Sequence, residues 1–194
     1  IKFIIFILLL NLLGFTKSYS IQPDVFVQST VNKASSVLSS EMSKENKISE
    51  LKLIAKETVD IKGIGFYTLG SARKNLNDEQ KKKYAELFEQ YFLKSFSSRL
   101  AEYTNPEISV EGKKVLSEKY TIVNSLLKGT KERPEIKIDW RIYTKNPDNP
   151  LIRDLIIEGL SLARTQKEEF QSILNSNEGD IEVLFNTLKE FSSK

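Results

Sequence analysis

Apolar residues first recur at spacings of three and four. From Pro23, Val27, Val31, Ala34 and Leu38 keep that interval, and Ile48, Leu51, Ile54 and Ala55 share one face of a second stretch. The period predicts two amphipathic helices. Between Asp60 and Lys74 lies "DIKGIGFYTLGSARK", apolar and glycine-containing. It lacks the G-x-G-x-x-G spacing of a dinucleotide loop and follows a helical pattern rather than a strand, so its glycines are read as close-packing positions in a short helix. The clearest helix begins at Asn77, a good N-cap, with Asp78 and Glu79 placed where carboxylates favour the positive end of the helix dipole. It runs to about Tyr103, and Tyr84, Leu87, Phe88, Tyr91, Phe92, Phe96 and Leu100 form an aromatic-rich stripe.

After Asn105-Pro106 the period changes to two. Ile108 to Val115 reads as a first strand or hairpin and Lys119 to Leu127 as a second. Ile136, Ile138, Trp140 and Ile142 alternate with Lys137, Asp139, Arg141 and Tyr143 in a third, and Leu151 to Glu158 makes a fourth. The segments between them, "KGTKERPE" and "TKNPDNP", are short, which favours an antiparallel meander with one face toward a core. Helical spacing returns in Ser161 to Leu174 and Ile181 to Phe191. The order predicts an α+β fold: N-terminal helices and a long aromatic helix packed on a curved four-stranded antiparallel sheet, followed by two C-terminal helices. Such a sheet facing an aromatic helix encloses an apolar pocket.

Residues 1–20 read as a secretory signal peptide, with Lys2 ahead of an apolar run from Phe3 to Leu13 and small residues at Ser18-Tyr19-Ser20. That run spans roughly half of a hydrocarbon core of about 30 Å, too little for a permanent transmembrane helix. A mature single domain is expected over residues 21–194, and no cysteine follows the cleavage site to carry a lipid anchor. Loss of Lys2 and Lys17 with the leader brings the formal charge of +3 close to neutral, which argues against a nucleic-acid partner. Export without cysteine fits the periplasm.

Composition also limits the chemistry. The chain has no histidine and no cysteine, so thiol catalysis, disulfides and zinc or iron-sulfur sites built on those ligands are excluded. "GLSLA", Gly159 to Ala163, stops one residue short of the G-x-S-x-G nucleophile signature. A serine near neutral pH needs a base, and the lysine alternative uses Ser-x-x-Lys where this chain has Arg164. Ser161 therefore reads as the N-cap at a strand-to-helix corner. Asp154 and Glu158, four strand residues apart, would stand roughly 13 Å from each other. That exceeds the roughly 5–9.5 Å of paired glycosidase carboxyls, so they form no dyad. Glu158 is expected to bind backbone amides at the corner, and Asp154 to pair with a basic neighbour or to meet a partner protein. Lys81-Lys82-Lys83 reads as a solvated face, with anionic lipid head groups as the other reading.

"RDLIIEGLSLARTQKEEFQSIL", Arg153 to Leu174, resembles the D-x-x-x-E-G-x-S stretch of the MlaC, or toluene-tolerance, family. "LGSARKNLNDEQKKKYAELFEQYFLKSFSSRLAEY", Leu69 to Tyr103, is similar to that family's long aromatic helix, and "IKIDWRIYTK" to its third strand. The resemblance runs from about Ile48 to the C-terminus. It implies a monomeric periplasmic phospholipid carrier with no cofactor and no catalysis, its acyl chains held between sheet and helices. The implied partners are an inner-membrane ABC transporter with MCE domains and an outer-membrane lipoprotein-porin complex, which together maintain outer-membrane lipid asymmetry. On this reading Phe88, Phe92, Trp140, Ile142, Leu155, Ile157 and Phe170 line the lipid pocket. Alternatives are another apolar cargo, such as a hopanoid or quinone-like lipid, or a periplasmic adaptor or chaperone with a filled core.

Overall fold

The structure is a computed structural model that describes residues 20–131 and 133–193. The signal-peptide expectation for residues 1–20 falls almost wholly outside them.

Two helices open the chain, α1 (Pro23–Leu38) and α2 (Lys44–Thr58). Pro23 occupies the first turn, where its missing N–H costs nothing, and the Ser43 hydroxyl caps α2 by accepting from the Asn46 N–H at 3.3 Å. Helix α3 (Ile61–Thr68) is the short glycine-containing helix expected from its sequence, capped by Asp60, which accepts from the Gly63 N–H at 2.8 Å. A 3₁₀ turn (Gly70–Asn75) leads to α4 (Asp78–Leu100). Its start is a reciprocal capping box: Asn77 accepts from the Gln80 N–H at 2.8 Å while the Gln80 side chain accepts from the Asn77 N–H at 3.1 Å. The helix ends a few residues before the expected Tyr103.

The sheet follows as an antiparallel meander of β1 (Ile108–Ser117), β2 (Tyr120–Leu127), β3 (Ile136–Tyr143), β4 (Leu151–Ile157) and β5 (Leu160–Ser161), in that spatial order. The alternation read in the third strand holds: Ile138, Trp140 and Ile142 of β3 are buried, and paired with them on the same face are Ser125, Val123 and Thr121 of β2. Two register breaks in β1 and one in β4 opposite β3 interrupt the ladders, and irregularities of this kind bend a strand and increase its twist. The strand count is five rather than four. At Glu158-Gly159 the φ angles are +49° and +82°, so β4 turns back as a tight hairpin and pairs Ile157 with Leu160 before the next helix starts.

Helix α5 (Leu162–Asn175) leaves that hairpin, and α6 (Ile181–Ser193) closes the chain against α4. Lys83 on α4 meets Glu182 on α6 at 2.8 Å, and Tyr84 packs on Phe185 with ring centroids 6.3 Å apart. Lys81 pairs with Asp78 at 3.4 Å, so two of the three consecutive lysines are engaged in ion pairs on a solvated face. Helix α2 meets α4 on another side, where Lys56 reaches Glu89 at 3.2 Å. No helix among the described residues is long and apolar enough to cross a membrane.

Candidate functional site

The inner face of the sheet and the helices over it do not close completely. A cavity of about 430 Å³ lies among α4, β3, β4, α5 and α6, within the roughly 300–1,000 Å³ of small-molecule sites. A second, of about 150 Å³, lies among α1, α2, the end of α4 and the far part of the sheet. Val59, Phe96, Trp140, Ile152 and Leu155 line both, so the two spaces share these five residues as a common wall.

Aromatic spacing on α4 builds the larger cavity. Phe88, Phe92 and Phe96 fall one turn apart, with ring centroids 6.1 Å and then 5.5 Å from one another, the second pair nearly parallel at 13°. Phe170 of α5 meets Phe88 edge-on at 6.2 Å, a preferred aromatic arrangement. Close approach of α3 sets the depth of Phe88: a Cβ on Gly65 would stand 2.7 Å from the Phe88 ring. On the sheet side Trp140 presents its indole, and its N–H donates to the Ser125 hydroxyl at 2.8 Å, which itself donates to the Ile138 carbonyl at 3.0 Å. The one polar atom of the tryptophan is thereby satisfied and its rings are left as apolar wall.

Of the residues expected to line a pocket, Phe88, Phe92 and Phe170 border the larger cavity, Trp140 and Leu155 border both, and Ile157 borders the smaller. Ile142 points to the same face but is fully buried and lines neither. Ile152 borders both cavities and was not expected there, because strict alternation puts it on the opposite face from Leu155. The reason is the β4 irregularity: Arg141 pairs with Asp154 and Ile142 with Ile152, so Arg153 is an extra residue and the face changes there. Val59, which bridges to Ile152, and Phe96 were also missed as lining residues. Phe96 did stand in the legible aromatic stripe; Val59 had no comparable signal.

The polar end of the site is the β4–β5–α5 corner. Asp154 is only 4 % exposed and accepts from the Ser161 hydroxyl at 2.6 Å and the Ala163 N–H at 3.0 Å, with the Arg141 guanidinium at 3.9 Å. Ser161 in turn accepts from the Arg164 N–H at 3.1 Å as the N-cap of α5. Its oxygen is thus spent on capping, and Asp154 has the basic neighbour foreseen for it. Glu158 accepts from the Lys137 N–H, also as expected. Together these bonds set Leu162 and Ala163, two wall residues of the larger cavity.

At the rim, the Tyr91 hydroxyl donates to Gln166 at 2.7 Å, and Gln166 donates to Glu169 at 2.8 Å. Burial, aided by the Glu169 charge, raises the Tyr91 pKa, against the Gln166 hydrogen bond and the Arg99 charge. Tyr84, stacked on Phe88 with ring centroids 5.8 Å apart, is held as a neutral phenol mainly by burial, its hydroxyl 2.8 Å from that of Thr68. No group of three or more potential metal-binding side chains stands together among the described residues.

The family model described as MlaC protein matches residues 28–190, which takes in every element from within α1 to within α6. The chain belongs to the MlaC family. The solved structure of a phospholipid-binding protein from Ralstonia solanacearum, in complex with a phospholipid, is similar to this MlaC-family chain with a TM-score of 0.74 at 17% identity. The likeness covers 89% of this chain and 98% of that one, and at this identity it is a likeness of fold. A comparison with curated proteins finds no match. The expected α+β architecture is therefore present, with the short fifth strand as its amendment.

Proposed function

We propose that this MlaC-family chain is a periplasmic phospholipid carrier, not an enzyme, which moves lipid between the inner and outer membranes and so maintains outer-membrane asymmetry. The observation that carries the reading is the pair of apolar cavities under the curved sheet, of about 430 and 150 Å³, in a family member whose fold neighbour is a phospholipid-binding protein. An adaptor with a filled core has no use for such space. In this reading Phe88, Phe92, Trp140, Leu155, Ile157 and Phe170 contact the acyl chains, together with Ile152 and Phe96. Ile142, two residues along the strand from Trp140, belongs to the packed core beside them.

The energetics suit a carrier without an energy source of its own. Exposing two acyl chains of roughly thirty methylenes to water costs on the order of 25 kcal/mol at about 0.8 kcal/mol each, which keeps lipid out of free solution. Exchange between a bilayer and an apolar cavity replaces hydrocarbon by hydrocarbon, so the net change is small and direction comes from the partners. Those partners are an ABC transporter with MCE domains in the inner membrane and a lipoprotein-porin complex in the outer. Mass spectrometry of the chain expressed in a Gram-negative periplasm, native and after solvent extraction, tests the reading. Stoichiometric phospholipid is expected. A folded protein that carries none, and takes none from vesicles, would overturn it; a hopanoid or quinone instead of phospholipid would change the cargo and keep the carrier.

A further inference from the structure

Three charged side chains border the larger cavity: Arg99, Asp154 and Glu169. Asp154 is buried and already engaged by Ser161, Ala163 and Arg141, so it belongs to the corner. The other two are exposed at the rim, Arg99 in the last turn of α4 and Glu169 on the facing helix α5. The Arg99 guanidinium, a rigid fork of five donors, makes no hydrogen bond or ion pair with the described residues, and its shape suits a phosphate. Among the described residues Glu169 accepts a single hydrogen bond, from Gln166, and a carboxylate has about four acceptor positions. The two charges border the same cavity from two different helices, and a ligand that fills the cavity meets both. We infer that this rim selects a zwitterionic phospholipid head group, with the phosphate at Arg99 and the ammonium at Glu169.

The inference rests on the phospholipid reading above and deepens it. The Tyr91–Gln166 bond links α4 to α5, and Gln166 holds Glu169 by its second bond, while Arg99 forms no ion pair with Glu169. A head group carrying both signs can satisfy both side chains at once, whereas an anionic head group without an amine leaves its outer end against Glu169. Both charges stand in water, so discrimination is modest, roughly two- to fivefold, as for exposed ion pairs.

The test incubates the full chain with vesicles of equal phosphatidylethanolamine and phosphatidylglycerol, re-isolates it, and counts each bound lipid by mass spectrometry. The wild type is expected to be enriched in phosphatidylethanolamine relative to the vesicles. Glu169→Lys is expected to shift the bound ratio toward phosphatidylglycerol by about two- to fivefold, and Glu169→Gln in the same direction by less. Arg99→Glu is expected to lower retention of both lipids, because both contain the phosphate. A wild type that takes the two lipids in the vesicle ratio, an unchanged ratio in Glu169→Lys, or unchanged retention in Arg99→Glu overturns the inference while leaving the carrier reading standing. A wild type that binds neither lipid overturns the carrier reading itself. Both positions are solvent-exposed, so the lipid-stripped variants are expected to melt with the lipid-stripped wild type.

Discussion

The narrowest fit in the site is between Gly65 and Phe88. Phe88 is 1 % exposed, and a methyl group at position 65 would meet its ring at 2.7 Å, so the ring must shift, and the free space beside it is the cavity. Gly65→Ala is therefore expected to destabilise the fold by about 1–3 kcal/mol, the range for overpacking a well-filled core, read as a lower urea midpoint. It is also expected to lower lipid retention, because the displaced ring takes cavity volume. A midpoint unchanged or raised would mean that α3 slides away from α4 without cost. Phe92→Asp tests the wall directly. An ionised carboxylate among Phe88, Phe96 and lipid chains is poorly solvated, and each 1.4 kcal/mol of penalty is tenfold in affinity. Loss of lipid from a protein whose circular dichroism is that of the wild type is expected; retained lipid would remove Phe92 from the lining.

The elements differ in how far they could be read beforehand. Helix α4 was legible at both its cap and its stripe because Asn77, Asp78 and Gln80 make local bonds and the aromatics keep one period. Strand β3 was legible because its apolar residues alternate with polar ones; β2 was legible as a strand, but not its inner face, which buries Thr121 and Ser125 with Val123 and Leu127. Strand β4 was only half so. Its sequence alternates well enough for a strand, but the extra residue at Arg153 is fixed by tertiary partners: the Asp60 carboxylate that receives its guanidinium, the Tyr143 ring 4.4 Å beneath it, and the bridge from Val59 to Ile152. None of these is local, so the face on which Ile152 falls was hidden. Glu158-Gly159 was taken as a corner, whereas its two positive φ values make it a hairpin turn and add β5. Asp154 is the residue that locks this element to α5. Asp154→Ala is expected to destabilise by about 2–4 kcal/mol, since it removes the charged acceptor of both the Ser161 hydroxyl and the Ala163 N–H. Calorimetric or chemical denaturation measures it; a loss below about 0.5 kcal/mol, the level of an ordinary surface change, would show that the corner is held by other contacts.

At the scale of the whole molecule, the two cavities sit where six helices and the sheet meet, so their contents and the stability of the fold are linked. A cavity wall facing no atoms loses its dispersion contacts, and side chains such as Phe92 and Phe96 gain partners when an acyl chain lies against them. A ligand that binds the folded chain alone adds stability by mass action, about 2.7 kcal/mol when it is present at a hundred times its dissociation constant. For a domain of this length each kcal/mol moves the melting point by roughly 2–4 °C, so stripping the lipid is expected to lower it by about 5–10 °C. Readdition of phosphatidylethanolamine vesicles should restore the loss in wild type but not in Phe92→Asp, which separates filling of this cavity from general effects of detergent or lipid. Equal melting points for extracted and lipid-loaded protein would mean that bound lipid does not touch the core, and would move the binding site to the surface of the helices.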